Sequence, residues 1–527
     1  MNPMDIHRLL QDGMSRRAFL RAGGGMAGLF ALGTVPASRG DVRPRFRDYP
    51  FTLGVASGDP TPTGVVLWTR LAPDPLRGGA MPSVRVPVRW EIAADEGFAK
   101  IVQSGTALAV PELAHSVHVE VEGLAPGRVY FYRFTAGGQE SAVGRTRTAP
   151  AVGSNVAKFT LAFASCQNFQ DGYYTALRHL ADEDLDLVVF LGDYIYEGGI
   201  GATAVRRHTS PEITTLDDYR NRYALYKSDR DLQAAHANFP WTVTWDDHEV
   251  DNNYAGAISE HDDPADEFLK RRAAAYQAYY EHMPLRKAQM PTGPIGADLR
   301  LYRGFQFGGL LSLDMLDTRQ YRSDQPCGDR VTPHCEQSLS PGQTIMGDAQ
   351  ERWLLDRLAT SKTTWNLIGN QLPMADIDRI PGAERGFQMD QWSGYAVMRD
   401  RVVKAILDRK VSNPIVVTGD VHQSWVTDIA LDAFDPRSTV VGTEFVGTSI
   451  TSGGDGAAMH ANGQAILDEN PHVKYYNALR GYVRCAITPD RWQSDYRVMP
   501  FVSRPGAEIR TDRSFVVEAG RVGAQSA

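Results

Sequence analysis

At 527 residues, with 43% apolar and 22% charged side chains, the chain is too long for one ordinary domain and has no disordered or collagen-like bulk. Its formal charge of -8 at pH 7, with no dense Lys/Arg block anywhere, argues against nucleic acid as a main partner. Four cysteines are few for a chain of this size if it is secreted.

The first 37 residues read as a targeting segment. Ser15-Arg16-Arg17-Ala18-Phe19-Leu20-Arg21 precedes a weakly apolar, Gly/Ala-rich stretch over 22–33, and Val35-Pro36-Ala37 offers small residues for cleavage after Ala37. Paired arginines before a modest apolar region predict twin-arginine export, a periplasmic or secreted mature protein, and the export translocon as a transient partner. The apolar stretch is too short and too rich in glycine to remain as a membrane span. That route carries folded proteins, which suits an enzyme that loads a metal before leaving the cytoplasm.

Residues 44–150 predict a small all-β domain of the fibronectin or immunoglobulin kind. Stretches 84–92, 115–121 and 129–135 alternate apolar and polar residues between turn signals. Leu124-Ala125-Pro126-Gly127, followed by Tyr130, Tyr132 and Phe134, is similar to the late strands of fibronectin-type sandwiches. Ser57-Gly58-Asp59-Pro60 reads as a tight turn facing the second domain. No catalytic cluster occurs here, so the unit is expected to pack and position.

From 157 to 515 the pattern becomes a layered α/β domain. Apolar strand candidates at 159–165, 187–191, 241–245, 310–315, 365–368 and 415–418 alternate with helical stretches at 173–182, 216–237, 268–282, 350–360 and 396–408. The loop from 320 to 347 lacks periodicity and reads as a surface insertion that shapes the site. Within it Cys327 and Cys335 bracket a short loop and are placed to pair, whereas Cys485 reads as a buried strand residue.

Chemistry collects where these strands stop. The first ends in Cys166-Gln167-Asn168 and the second in Gly192-Asp193-Tyr194-Ile195-Tyr196-Glu197. The third ends in Asp246-Asp247-His248-Glu249, followed by Asn253; later come Gly369-Asn370-Gln371 and Gly419-Asp420-Val421-His422. Open α/β sheets place their ligand sites outside such carboxyl ends. Acids brought together there raise one another's pKa unless a cation compensates them. Asp, Asn and Gln oxygens suit Ca²⁺, Mg²⁺ or Mn²⁺, whereas thiolate, phenolate and imidazole suit a transition metal. The set divides into two unlike metals sharing one bridging acid. Such pairs clamp phosphoryl oxygens and generate hydroxide near neutral pH. His248, between two acids, is placed either to protonate a leaving group or to serve as a hydrogen-bonded structural residue.

These motifs resemble those of PhoD-type alkaline phosphatases, within the calcineurin-like metallophosphoesterases that include purple acid phosphatases. The resemblance covers nearly everything after residue 44, including the stretch 51–60, Val66-Leu67-Trp68-Thr69-Arg70 and Leu316-Asp317-Thr318-Arg319-Gln320-Tyr321-Arg322. It implies Cys166, Tyr196 and His422 as ligands to Fe³⁺, with Asp193 as the bridge. Asp247 and Asp420 would hold Ca²⁺, with Mn²⁺ or Mg²⁺ as alternatives. Asn253, and Asn370 or Gln371, would complete that site or contact phosphate. His248 corresponds to the family's leaving-group acid, and Arg319 is read either as a bidentate phosphate contact or as a surface salt bridge.

The expected activity is hydrolysis of phosphate mono- or diesters by metal-bound hydroxide, on small phosphate esters or on phospholipid or teichoic-acid-like diesters. The alternatives are a phospholipase D-type phosphodiesterase and an exported metal- or phosphate-binding protein without turnover. The last needs no His248, and the complete Asp246–Glu249 cluster speaks against it.

Overall fold

The computed structural model describes residues 46–292 and 298–527; the paired-arginine segment read as an export signal lies outside them. Two sheets joined through one long strand make the centre of the molecule. In the first, Phe159–Ala164, Leu187–Leu191 and Pro240–Thr244 run parallel. Each is a fully buried run, as a strand covered on both faces requires. In the second, Leu311–Met315, Trp365–Gly369, Pro414–Thr418 and Val440–Val446 run parallel in turn. Val473–Ile487 belongs to both sheets: its first part pairs with Ser424–Ala430 and its last part with Phe159–Ala164.

Alternate side chains of these strands face opposite ways. Leu367 and Val417 join Phe163, Val189 and Val483 in the core between the sheets. Their neighbours Ile368 and Val416 point outward, under helices Gly347–Thr360 and Ala396–Asp408. The outer face of the first sheet is covered by Leu216–Lys227, Arg230–Asn238 and Ala265–His282 through an aromatic-rich cluster. The architecture is the layered α/β sandwich expected. The single helix read over 216–237 is two helices, because the Asp229 carboxylate accepts the backbone N–H groups of Asp231 and Leu232 and starts a new N-terminus there. Cys327 and Cys335 are disulfide-bonded, and Cys485 is buried within Val473–Ile487. Among the described residues no helix is long and apolar enough to cross a membrane.

The N-terminal strands form two layers. Val86–Ala93, Ile101–Ala109, Val129–Ala136 and Gly144–Arg147 make one antiparallel sheet. Val55–Thr61, Gly64–Arg70 and Ser116–Val121 make the other, and Val55–Thr61 pairs in parallel with Pro240–Thr244. That second layer therefore continues the central sheet. Ser57-Gly58-Asp59-Pro60 is not a tight turn: it lies inside Val55–Thr61, where the register with the next strand shifts between Gly58 and Thr61. Glycine is required at 58, since a Cβ there would sit 2.6 Å from the Trp241 carbonyl oxygen. Asp59, with φ +47°, turns a buried carboxylate onto Arg303, with Oδ1 2.7 Å from Nη2 and Oδ2 2.8 Å from Nε.

Removing that carboxylate would leave a largely buried guanidinium without its partner. Asp59→Ala is expected to lower stability by about 3–5 kcal/mol, read as a drop in the thermal or urea unfolding midpoint; a change of less than about 1 kcal/mol would show that the ion pair is not holding the N-terminal layer to Arg303–Phe307.

Candidate metal centre

The ends of both parallel sets meet at one rim. Cys166, Asp193 and His422 each offer a ligand atom, and these lie within 4.8 Å of one another. The Tyr196 hydroxyl donates to Asp193 Oδ2 at 2.7 Å and lies 3.3 Å from His422 Nε2. Asp246, Asp247 and Asp420 form a second such group, and Asp193, Asp247 and His248 a third. Asp193 thus stands between the thiol–phenol–imidazole set and the carboxylate set.

The backbone is bent to make this approach. Cys166, Asp193, Asp420 and His422 all have left-handed φ values, between +54° and +64°. Such conformations cost on the order of 1–3 kcal/mol each for ordinary residues and persist only where the surroundings impose them. Several contacts do so. The Glu249 carboxylate accepts the backbone N–H groups of Asp193, Tyr194 and Asp246, tying two strand ends together. Arg480 Nη1 donates to the His422 carbonyl at 2.8 Å. The Ser452 hydroxyl lies 2.8 Å from the Cys166 carbonyl and 2.7 Å from the Tyr196 hydroxyl. Gly192, at φ +106°, lets the strands close, since a Cβ there would collide with Asp246.

Arg319 occupies the floor of the carboxylate set. It is fully buried, with Nε on Asp246, Nη1 2.8 Å from Asp390, and Nη2 3.8 Å from both Asp247 and Asp420. A surface salt bridge does not describe it. Asn253 donates its backbone N–H to Asp247 Oδ2 at 2.8 Å, and its side chain reaches Asp329 in the 320–347 insertion. Asn370 and Gln371 turn their carbonyl oxygens to protein donors: Asn370 to Leu372 and Trp392, Gln371 to Thr318.

His248 Nδ1 lies 2.7 Å from Glu197 Oε2, and its ring packs on Tyr196 with centroids 4.0 Å apart. The other oxygen of Glu197 accepts the Asn252 N–H. Burial opposes a charged His248, but Glu197, Asp247 and Asp193 outweigh it and hold its pKa well above the ordinary imidazole range. His422 is driven the other way, down to about 3, chiefly by burial and then by Arg480.

Burial pushes Asp193, Asp246 and Asp420 well above the usual carboxylate range, and the Cys166 thiol and Tyr196 phenol above theirs. Burial acts on Asp247 in the same sense, yet Arg319 and His248 overcome it and hold that carboxyl low. Asp193 Oδ1, Asp246 Oδ2 and Asp247 Oδ1 are buried with no hydrogen-bond donor. Orphaned carboxylate oxygens of this kind are costly, and a cation satisfies several at once. The donor set therefore fits metal ions.

Asp246, Glu197 and Glu249 lie within the sequence motifs but carry no separate role there. Asp390, Ser452 and Arg480 have no motif of their own, because they arrive from loops and a long strand.

Two family models match the chain: PhoD-like phosphatase over residues 161–496, and PhoD-like phosphatase, N-terminal domain, over 35–150. It is 53% identical over 517 residues to alkaline phosphatase D of Bacillus subtilis (strain 168), covering 96% of this chain and 88% of that protein. The solved structure of PhoD superposes with a TM-score of 0.90 at 53% identity, covering 92% of this chain and 93% of the other. Fold, strand-end cluster and sequence agree: the chain belongs to the PhoD-like phosphatase family and is a phosphoric ester hydrolase.

Proposed function

We propose that this phosphoesterase is exported and hydrolyses phosphate mono- and diesters with two unlike metal ions held at the strand-end cluster. The division of donors about Asp193 carries the proposal. Cys166, Tyr196 and His422 on one side are ligand types that suit a transition metal, which the family resemblance makes Fe³⁺. Asp247 and Asp420, with Asn253 beside them, favour Ca²⁺, with Mn²⁺ or Mg²⁺ as alternatives. Asp246, whose second oxygen also lacks a donor, joins this side. Bound there, such ions supply positive charge for the phosphoryl oxygens and acidify a water molecule.

The chain's own residues account for the remaining steps. Glu197 fixes the His248 ring through Nδ1 and leaves Nε2 free of that pairing. A proton kept on that ring is available for the leaving oxygen. Glu197 is outside both ligand sets, so its pull on His248 persists when cations neutralise the aspartates. Arg319 restrains the mutual repulsion of Asp246, Asp247 and Asp420, with Nη2 buried 3.8 Å from both Asp247 and Asp420. A cavity of about 640 Å³ opens beside Asp420 and Asn253, which gives a second ester substituent room and favours diesters alongside monoesters. The Cys327–Cys335 disulfide supports a twin-arginine-exported protein in an oxidising compartment.

Metal analysis of the purified protein, with 4-nitrophenyl phosphate and bis(4-nitrophenyl) phosphate assayed in parallel, tests this reading; iron with calcium and turnover of both esters is expected, and full activity after complete metal removal would refute it. Burial pushes several of the acids above the usual carboxylate range, so protons compete with a cation for them. Ca²⁺ affinity is therefore expected to rise with pH and fall on acidification, measured by competition titration at two pH values; a pH-independent affinity would contradict that linkage.

His248→Ala is expected to retain both metals while kcat falls by about 10²–10⁴-fold; loss of one metal equivalent would instead make His248 a ligand. Cys166→Ala is expected to lose iron together with the visible tyrosinate-to-iron absorption, and a variant with undiminished colour would remove Cys166 from the ligand set.

A further inference from the structure

The cavity beside Asp420 has a feature the hydrolytic cluster does not use. Among the residues lining it, Arg379 is the one basic side chain. Its guanidinium packs against the fully buried Trp425 ring, 4.7 Å from the centroid, and its backbone N–H is fixed to the Gly386 carbonyl at 2.8 Å. Nε is buried without an acceptor, and among the described residues no carboxylate lies within ion-pair distance of the group. Burial pulls its pKa down to about 10, with Asp420 opposing. The side chain as a whole is only partly buried, so the rest of the guanidinium opens into the cavity, where an anion or strong acceptor can meet it.

The acids that share the wall are already engaged. Asp378 accepts the backbone N–H groups of Ile380 and Gly386, and Glu469 accepts that of Gly382. Asp390 is held by Arg319 and Arg322. Asp420 belongs to the candidate metal set. The wall is otherwise lined partly by Val331, Pro381, Val421 and Ile466. At about 640 Å³ the space is of the size that holds a whole small ligand. It therefore combines an apolar surface with one unpaired planar cation, whose fork matches carboxylate or phosphate oxygens.

We propose that Arg379 is a specificity-determining residue that binds a second anionic group, a carboxylate or phosphate, on the substituent of a phosphodiester substrate. The apolar wall takes the hydrocarbon between that group and the scissile phosphate. The assignment rests on the diester reading given above.

The test uses the metal-loaded, full-length enzyme and two series of 4-nitrophenyl alkyl phosphodiesters of matched chain length, one ending in methyl and one in carboxylate. At the best chain length the wild-type enzyme is expected to favour the carboxylate series in kcat/KM by about tenfold or more, as a charge-assisted hydrogen bond implies. Arg379→Gln is expected to bring the ratio close to one, with the change carried by KM. Arg379→Lys, which keeps the charge but loses the fork, is expected to fall between.

A purely structural role would lower both series together and leave the ratio unchanged, and that result overturns the proposal. The wild-type ratio needs no variant: equal turnover of the two series overturns the Arg379 assignment alone. Failure to cleave either series, with the monoester still hydrolysed, overturns it by removing the diester reading beneath it.

Discussion

Two like charges about 4 Å apart repel by about 4 kcal/mol at the effective dielectric of a protein near its surface, and by more in a drier place. Asp246, Asp247 and Asp420 each bring an oxygen within 4.8 Å of the others, with Asp193 grouped with Asp247. One guanidinium answers them. Arg319 touches Asp246, lies 3.8 Å from Asp247 and Asp420, and is itself anchored by Asp390. Arg322 also holds Asp390, at 2.9 Å, so the anchor has a second support. The positive floor is what allows the acids to face one another across a gap instead of turning apart. Glu249 does the corresponding work on the main chain, holding three N–H groups from two strand ends.

The sheets make this gathering geometrically available. Cys166, Asp193 and Asp247 follow strands of one sheet, whereas Arg319, Asp420 and His422 follow strands of the other. They meet because Val473–Ile487 is hydrogen-bonded into both sheets and fixes their relative placement. The N-terminal layer adds a second restraint. Val55–Thr61 pairs along Pro240–Thr244, the strand that leads directly into Asp246, Asp247 and His248. Its buried Asp59–Arg303 pair connects the same layer to Arg303–Phe307, next to the strand leading toward Arg319. The N-terminal strands thus brace both sides of the cluster.

The strands leading into the site were legible because each is a short, mostly apolar and fully buried segment, and their predicted and observed limits differ by a residue or so. What escaped has physical reasons. Ser57-Gly58-Asp59-Pro60 is built from turn-forming residues, but tertiary pairing draws it into a strand and leaves only an irregular register as the trace. The helix read over 216–237 broke because a single aspartate cap starts a new helix without marking the hydrophobic periodicity. Arg319 was read as a phosphate contact or a surface salt bridge, because nothing in its neighbours distinguishes a buried guanidinium from a surface one. Ser452 and Arg480 support ligands some 250 and 60 residues away in the chain, a relation that exists only after folding.

Fixed and exchangeable charge have separate duties in this cluster. The Arg319 guanidinium does not give up its proton, so it holds the cluster's shape under any condition in which the protein is folded. It keeps Asp247 ionised even though burial works against the charge. Burial pushes Asp193, Asp246 and Asp420 the other way, so at these acids protons compete with a cation. Protons can leave when a cation arrives; a guanidinium cannot. One permanent charge with several temporary ones therefore allows the metal-binding geometry to exist before the metal does, and makes the cost of assembling the acids a cost of folding rather than of binding.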